Sequence, residues 1–429
     1  MKHYRIYPGT VPADKKSVVT VSPEGSYDIF DASEGLHLLY SPVEWQPESS
    51  NGGLEQKVYI TLKNGQVSFD LLFSGEQEHY FQLKNSRGQN VCTFSIYSLK
   101  PDLYGMLPLC GDPHMHSNRS DGLAPPGAMA VAAVDNGFDF IALTDHGLYA
   151  PSLKLKKIMG NSGSGLTICP GEEVHPPGNP VHIVNFGGKS SVNRLFRADP
   201  DTYAEEVAQR VEEMDFDLSQ ELKIQLASAE WCFDKIREAE GMAILSHPYW
   251  KNHYNRFYLA EALITALLKR KNFDAIEVLG GFMKSQSESN SLQLARYHEE
   301  RAAGNPLPIV GAGDAHSDNR KMLFGWYYTM VFSHKNSYEG IADGIREMRS
   351  VAIEDVPGES VRCHGPYRLV KYAMFLLREI LPEYREIRKR EAILLRSFMR
   401  RGEATAEQVA QAAKVAAKYL ARHGLKGTD

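Results

Sequence analysis

Residues 137–147 read GFDFIALTDHG. Phe138, Phe140, Ile141, Ala142 and Leu143 form a short apolar run that ends in Thr144, Asp145 and His146. A run of this kind bounded by glycine suits a strand buried on both faces. The stretch before it, 127–136, has a helical pattern and stops at Gly137, a residue suited to a left-handed C-cap. The unit is therefore helix, then buried strand, then ionisable residues at the strand end.

Working outward, the unit recurs. Apolar runs lie at 138–144, 166–174, 181–186, 242–246, 275–279 and 307–311. Helical stretches lie between most of them, at 127–136, 203–222, 229–239, 257–271 and 289–303, with Gly137, Gly241 and Gly304 at their ends. Such alternation predicts a parallel sheet, open or closed. With the segment before His114 there are seven strands with helices outside. The fold class expected for 106–365 is α/β, a distorted seven-stranded (β/α)7 TIM-like barrel.

The flanks read differently. In 1–105, Val58, Ile60 and Leu62 alternate with polar residues, Asn64-Gly65 follows, and Val67, Phe69, Leu71 and Phe73 alternate again. Asn-Gly between alternating runs is a hairpin signal, because both residues tolerate positive φ. Further strands are expected at 17–21, 36–40, 80–83 and 91–97, giving an N-terminal β-sandwich-like domain. From 366 to 429 the chain is expected to be a helical C-terminal region, with a break at Pro382 and a capping box at Thr405–Gln408 opening the last helix.

Composition narrows the function. The 429 residues carry 48 Lys+Arg and 53 Asp+Glu, a formal charge of −5, which speaks against a dedicated binder of long nucleic acid. A row of basic residues, Arg385, Arg388, Lys389, Arg390, Arg396, Arg400 and Arg401, reads as a solvated helix face diluted by Glu386 and Glu391. No run of about 18 apolar residues predicts a membrane span. The first residues lack the apolar run of a signal peptide. The five cysteines are scattered without CxxC spacing, so neither a disulfide framework nor a thiolate zinc site is expected. The compartment expected from these features is the cytoplasm.

The chemistry lies at the strand ends. They read GDPHMHSNRSDG, IALTDHG, ICPGEEVH, AILSHPYW and IVGAGDAHS, and a further run opens with VHIVNF. In parallel α/β architectures the loops at the C-terminal strand ends converge on the active site. His114 and His116 are two apart and face one way on a strand, as do Asp314 and His316. Imidazoles with carboxylates and no thiolates suit zinc, manganese or iron. The number of ligands exceeds the needs of one ion, which implies two or three divalent transition metals of the kind that activate water for displacement at phosphorus. Keeping buried ionisable groups at so many strand ends for packing alone would carry a desolvation cost at each.

HMHSNRSDG at 114–122, GFDFIALTDH at 137–146, PGEEV at 170–174, VHIV at 181–184, ILSHP at 244–248, IEV at 276–278 and GDAHS at 313–317 resemble, in order, the motifs of the PHP (polymerase and histidinol phosphatase) superfamily. The resemblance implies a distorted barrel, a trinuclear metal centre and phosphoesterase activity. It implies one metal on His114, His116, Glu173 and Asp314. It implies a second on Glu173, His182 and His247, and a third on Asp121, His146 and His316. Of the two glutamates in PGEEV, Glu173 shares a face with His175, whereas Glu172 shares one with apolar Val174, so Glu173 is expected to face the site. Where many family phosphodiesterases follow His-Pro with Gly-Arg, this chain has Tyr249, Trp250 and Lys251.

Lys189, Arg194, Lys251, His253, Arg320 and Lys321 are candidate contacts for a substrate phosphate. His175 and Glu277 are open between a supporting role and none. Trp250 and Trp326 are candidates for the pocket wall, and 187–241 for a lid. The expected partner is a small phosphorylated substrate, without membrane. The alternatives are a nuclease acting on short oligonucleotides and a non-catalytic, metal-stabilised binding scaffold.

Overall fold

The computed structural model describes residues 4–25, 30, 35–44, 56–215, 217–252 and 254–427. These fall into two compact units, 1–107 with 374–384 and 415–429, and 108–373 with 385–414.

The first unit holds β1 (Tyr4–Tyr7), β2 (Thr10–Pro12), β3 (Lys15–Pro23), β4 (His37–Pro42), β5 (Gln56–Val58), β6 (Thr61–Lys63), β7 (Gln66–Phe73), β8 (Glu78–Lys84) and β9 (Asn90–Leu99). They form a four-stranded sheet, β1-β3-β7-β6, and a five-stranded sheet, β2-β9-β8-β4-β5. The alternation in β3 and β7 turns Val19, Val21, Val67 and Phe69 into one core with Leu38, Phe81, Phe94 and Ile96 of the other sheet. The β6–β7 turn is the expected hairpin, with Asn64 at φ 53° and Gly65 at φ 71°. Inside this core His79 is fully buried, with Nδ1 2.9 Å from the Tyr40 hydroxyl and Nε2 2.7 Å from Ser98 Oγ.

The second unit begins with β10 (Leu107–Met115), α1 (Pro126–Asp135), β11 (Phe140–Leu143), α2 (Ala150–Gly160), β12 (Thr167–Cys169), β13 (Gly171–Val174) and β14 (Ile183–Phe186). It continues with α3 (Asn193–Ala198), α4 (Pro200–Glu212), α5 (Gln220–Glu238), β15 (Met242–Leu245), α6 (Glu261–Arg270), β16 (Ala275–Leu279), α7 (Ser287–Ala302) and β17 (Ile309–Gly311). Next come β18 (Tyr327–Ser333), α8 (Tyr338–Arg346), β19 (Ser350–Glu354) and β20 (Arg362–His364). The last helices, α9 (Tyr367–Glu379), α10 (Leu381–Met399) and α11 (Ala406–Arg422), are divided between the units, with 374–384 and the part from 415 onward belonging to the first.

The fold is α/β as expected, but among the described residues no sheet closes on itself. One sheet is β12-β11-β10-β18-β19-β20 and the other β13-β14-β15-β16-β17. Two isolated parallel bridges, Met115 to Ala315 and His146 to Glu173, join the sheets near the ends of β10, β11, β13 and β17. The expected third strand is really two. Pro170 lacks an amide hydrogen and separates β12, which pairs with β11, from β13, which pairs with β14. The expectation of an all-parallel sheet also needs correction, because β14 runs antiparallel to both β13 and β15. The link 175–182 is shorter than the dozen or so residues a parallel crossover requires.

The segment 187–241 does not form a lid. Its helices supply Phe196, Tyr203, Val207, Leu226, Trp231 and Phe233 to the hydrophobic core of this unit. The basic row on α10 is not a wholly solvated face either. Arg388 and Glu391 are buried, and Glu391 Oε1 accepts from Ser164 Oγ at 2.6 Å and from the Gly165 N–H at 2.9 Å. The capping box forms, with Gln408 N–H donating to Thr405 Oγ1 at 3.3 Å and Thr405 N–H to Gln408 Oε1 at 2.9 Å. Among the described residues no helix is long and apolar enough to cross a membrane.

Candidate metal centre

Seven strands, β10, β11 and β13–β17, bring the polar residues together. The end of β10 carries His114 and leads into His116 and Asp121. His146 follows β11, Glu173 lies in β13, and His175 and His182 bracket the turn into β14. His247 follows β15, Glu277 lies in β16, and Asp314 and His316 follow β17. Neighbouring loops are tied down. Asp145 accepts from the Ser117 N–H at 2.7 Å and from Ser120 Oγ at 2.9 Å, fixing the loop that delivers Asp121. Asp112 Oδ1 accepts from the N–H groups of His114 at 3.1 Å and Gly313 at 2.9 Å, tying β10 to the turn that presents Asp314. A Cβ at position 313 would collide with the Asp112 carboxylate, which explains the glycine of GDAHS. Burial pushes the Asp112 carboxyl up to about 8.

Glu173 is the hub. It is completely buried, with Oε2 2.6 Å from His146 Nδ1, 3.4 Å from His116 Nε2 and 3.5 Å from His114 Nε2. Its Oε1 lies 2.8 Å from His182 Nδ1 and 3.7 Å from His247 Nε2. Glu172 points the other way and accepts from Ser191 Oγ at 2.8 Å and the Val192 N–H at 2.6 Å. Asp314 Oδ1 is 3.0 Å from His116 Nε2 and 3.4 Å from His114 Nε2. Asp121 Oδ2 is 3.2 Å from His146 Nε2 and 3.1 Å from His316 Nε2. The centre is graded, since His114, His116 and Glu173 are sealed at its floor while the Asp121 side chain is 53% exposed at its rim. Asp314 and His247 both sit at positive φ, 44° and 24°, a strain that the surrounding contacts hold in place.

The donor chemistry fits divalent metal. His114 Nδ1 is 2.8 Å from Glu277 Oε1, so it carries the proton, and the Nε2 lone pair faces Glu173 and Asp314. His316 Nδ1 likewise lies 2.7 Å from the Asp314 carbonyl, which leaves the Nε2 lone pair facing Asp121. With both rings neutral, acceptors thus face acceptors, an arrangement that a metal ion or a second proton on the ring resolves. Both oxygens of Glu173, Nδ1 of His116 and of His182, and Oδ1 of Asp314 are buried without a hydrogen-bond partner. The close Glu173 approaches are therefore convergence without hydrogen-bond alignment. Burial disfavours charge throughout, yet Glu277, Asp314 and Glu173 together hold His114 well above the usual imidazole range. Burial likewise opposes ionisation of Glu173 and Asp314, and the surrounding imidazoles outweigh it and hold both carboxyls well below theirs. Among the described residues, His116, Asp121, His146 and His316 form one group able to hold a metal ion. His114, His116 and Glu173 form another, and Glu173, His182 and His247 a third.

Glu277 and His175, left open by sequence, both lie here. Glu277 Oε2 also accepts from the His247 N–H at 2.9 Å, and His175 Nε2 is 3.0 Å from His146 Nδ1. Three of the candidate phosphate contacts are paired with carboxylates. Lys189 pairs with Glu240 at 2.6 Å, Lys251 with Glu288 at 2.6 Å and Arg320 with Asp355 at 3.0 Å, so each cation is committed to a carboxylate elsewhere. Arg194 and Lys321 are exposed, and His253 lies outside the described residues. Trp250 stands beside His182, whereas Trp326 is buried in the core. A cation that sequence reasoning missed is Arg197 of α3, whose Nη1 donates to the Gly147 carbonyl at 2.8 Å, next to His146. No local motif marks it, because it reaches the rim from a helix some fifty residues downstream.

No family model matches the chain, and no curated protein does. Among solved structures it is similar to a two-domain protein from Bacteroides vulgatus containing a predicted PHP-like metal-dependent phosphoesterase. The identity is 20%, the TM-score 0.40, and the match covers 59% of this chain and 66% of that one, just under two thirds of its length. A protein from Bifidobacterium adolescentis, provisionally described as a metal-dependent phosphoesterase, is 18% identical over 49% of this chain and 89% of its own, with a TM-score of 0.33. An amidohydrolase from Chromobacterium violaceum with bound sulfate and no metal is 17% identical over 48% and 87%, with a TM-score of 0.31. These likenesses are too partial to assign an activity, which must rest on the side chains.

Proposed function

We propose that this chain is a metal-dependent hydrolase of small phosphoesters, built on β10, β11 and β13–β17 as a distorted seven-stranded barrel joined at the two isolated bridges. The observation that carries the reading is Glu173, a fully buried carboxylate with both oxygens among six imidazoles and no hydrogen bond to satisfy it.

His114, His116, Glu173 and Asp314 would hold one ion, Glu173, His182 and His247 a second, and Asp121, His146 and His316 a third. Imidazole and carboxylate donors suit zinc, manganese or iron. Bound there, the ions would supply Lewis acidity, activating water near neutral pH and offsetting the charge that grows on phosphoryl oxygens. The chain's own part is orientation. Glu277 fixes the His114 tautomer and the backbone of His247, and the Asp314 carbonyl does the same for His316. The exposed carboxylate of Asp121 puts the third group where substrate enters, and Arg197 beside Gly147 offers a guanidinium for a phosphate oxygen. The buried Arg388 and the part-buried Arg385, bonded to Tyr328 and Asp355, weaken the case for a nucleic-acid track along α10.

The test is turnover of a nucleoside monophosphate, a sugar phosphate and a dinucleotide by the manganese-supplemented protein. Hydrolysis of a monoester, lost on chelation, is expected. Cleavage of the dinucleotide alone would favour a phosphodiesterase, and no turnover of any substrate would reject the reading.

A further inference from the structure

The chain leaves His247 through 249–258, YWKNHYNRFY, which holds more aromatic rings than a simple connection needs. The Trp250 N–H donates to the His247 carbonyl at 3.0 Å, and the Tyr258 N–H to the Trp250 carbonyl at 2.9 Å. The Asn252 N–H donates to the Arg256 carbonyl at 2.9 Å, and Lys251 bridges Phe257 in antiparallel fashion. These bonds brace a short hairpin arm that springs directly from a residue of the metal centre.

The arm turns two of its rings, Trp250 and Tyr258, toward that centre. The Trp250 indole stacks on His182 with centroids 6.3 Å apart and planes 26° apart, and lies 6.5 Å from His247. Tyr258 meets Trp250 edge-on at 5.0 Å and His182 at 5.8 Å. Tyr258 is 43% exposed although it adjoins a polar cluster. Burial alone does not account for it, since the core takes the neighbouring Leu259 instead. Two of the arm's polar side chains are spent elsewhere, Lys251 on Glu288 and Asn252 Oδ1 on the N–H groups of Tyr254 and Arg256. Trp250 and Tyr258 thus present π surface, and among the described residues no protein group bonds the Trp250 indole N–H or the Tyr258 hydroxyl. Such a wall suits a planar heterocycle, which offers both a face to stack and edge atoms to bond.

Resting on the phosphoester reading above, we infer that Trp250 and Tyr258 form a stacking subsite for the leaving group beside His182 and His247, so that the preferred substrate is a phosphoester whose alcohol carries a planar heterocycle, as a nucleoside does. The subsite makes Trp250 a specificity-determining residue, not a catalytic one.

Adenosine 5′-phosphate carries adenine at C1′ where ribose 5-phosphate carries a hydroxyl, and the pair makes the test. On the manganese-supplemented full chain, kcat/KM for the nucleotide should exceed that for the sugar phosphate about tenfold or more, mostly through KM. Trp250→Ala should collapse the ratio to near one, while Trp250→Phe, which keeps a ring, should preserve most of it. Calorimetric Kd values for the same two compounds should show the same preference and the same loss, independently of turnover. A ratio near one in the unaltered protein, or an equal fall for both compounds in Trp250→Ala, overturns the subsite. Ring-selective binding that Trp250→Ala removes, with no hydrolysis of either compound, would leave the subsite standing and reject the phosphoesterase reading instead.

Discussion

Replacing Glu277 by glutamine separates orientation from ligation. Glu277 is fully buried, with Oε1 2.8 Å from His114 Nδ1 and Oε2 accepting the His247 N–H at 2.9 Å. A carboxylate accepts at both oxygens, whereas a glutamine has one oxygen. If that oxygen keeps the His247 N–H, the amide NH2 must face His114 Nδ1. The imidazole then has to accept at Nδ1 and carry its proton on Nε2, the atom turned toward Glu173 and Asp314. A ring protonated at Nε2 cannot donate a lone pair to a metal. Loss of such an orienting partner typically weakens metal affinity ~10–100-fold, or about 1.4–2.7 kcal/mol. Shape is nearly conserved, so the circular dichroism spectrum should not change. Competition with a fluorescent chelator for manganese or zinc reads the affinity of Glu277→Gln against the parent protein. An unchanged affinity, with hydrolysis intact, would refute the proposed tautomer control of His114.

Other expectations follow from the same contacts. Asp314→Ala should abolish phosphoester hydrolysis while the protein stays soluble and folded by circular dichroism, and retained turnover would remove Asp314 from the site. Burial lowers His79 to about 4 from a usual 6.5, so the unfolded chain binds the extra proton between those values. The stability His79 contributes is present above pH 6.5 and lost as pH falls toward 4, by about 3 kcal/mol at most. The melting temperature should therefore fall less steeply over that range in His79→Gln than in the parent, and parallel curves would contradict this. Glu391→Ala leaves the buried Arg388 guanidinium without its carboxylate and should cost ~3–5 kcal/mol, read by urea unfolding. Thr405→Ala removes one half of the capping box of α11 and should cost about 1 kcal/mol in the same experiment.

What could be read from sequence was whatever depends on near neighbours. Asn64-Gly65 specifies its hairpin because both residues accept positive φ, and Thr405 with Gln408 closes its capping box within one turn. Strand periodicity separates Glu173 from Glu172, since adjacent side chains on an extended segment must face opposite ways. Features that depend on distant partners were not legible. Pro170 looks like an interior strand residue until β12 and β13 are seen to pair in different sheets. The reversal of β14 follows from a short link whose length becomes clear only once the strand boundaries are fixed. Lys189, Lys251 and Arg320 sit in motif-rich loops, but each meets a carboxylate that sequence distance hides. Arg388 looks like one more surface cation, yet α10 buries it against the Phe138 carbonyl and Glu391. Glu277 carries no signal of its own role, because that role is defined by His114, 163 residues away.

On the proposed reading, the cluster around Glu173 holds several metal ions and hydrolyses phosphoesters. The most direct measurement is elemental analysis of gently purified protein by plasma mass spectrometry, with hydrolysis of a phosphomonoester followed on the same sample through chelation and metal return. Two to three equivalents of zinc, manganese or iron per chain are expected, with turnover lost on chelation and restored by manganese or zinc. Less than one equivalent of transition metal, with no gain in turnover when manganese is added, would contradict it.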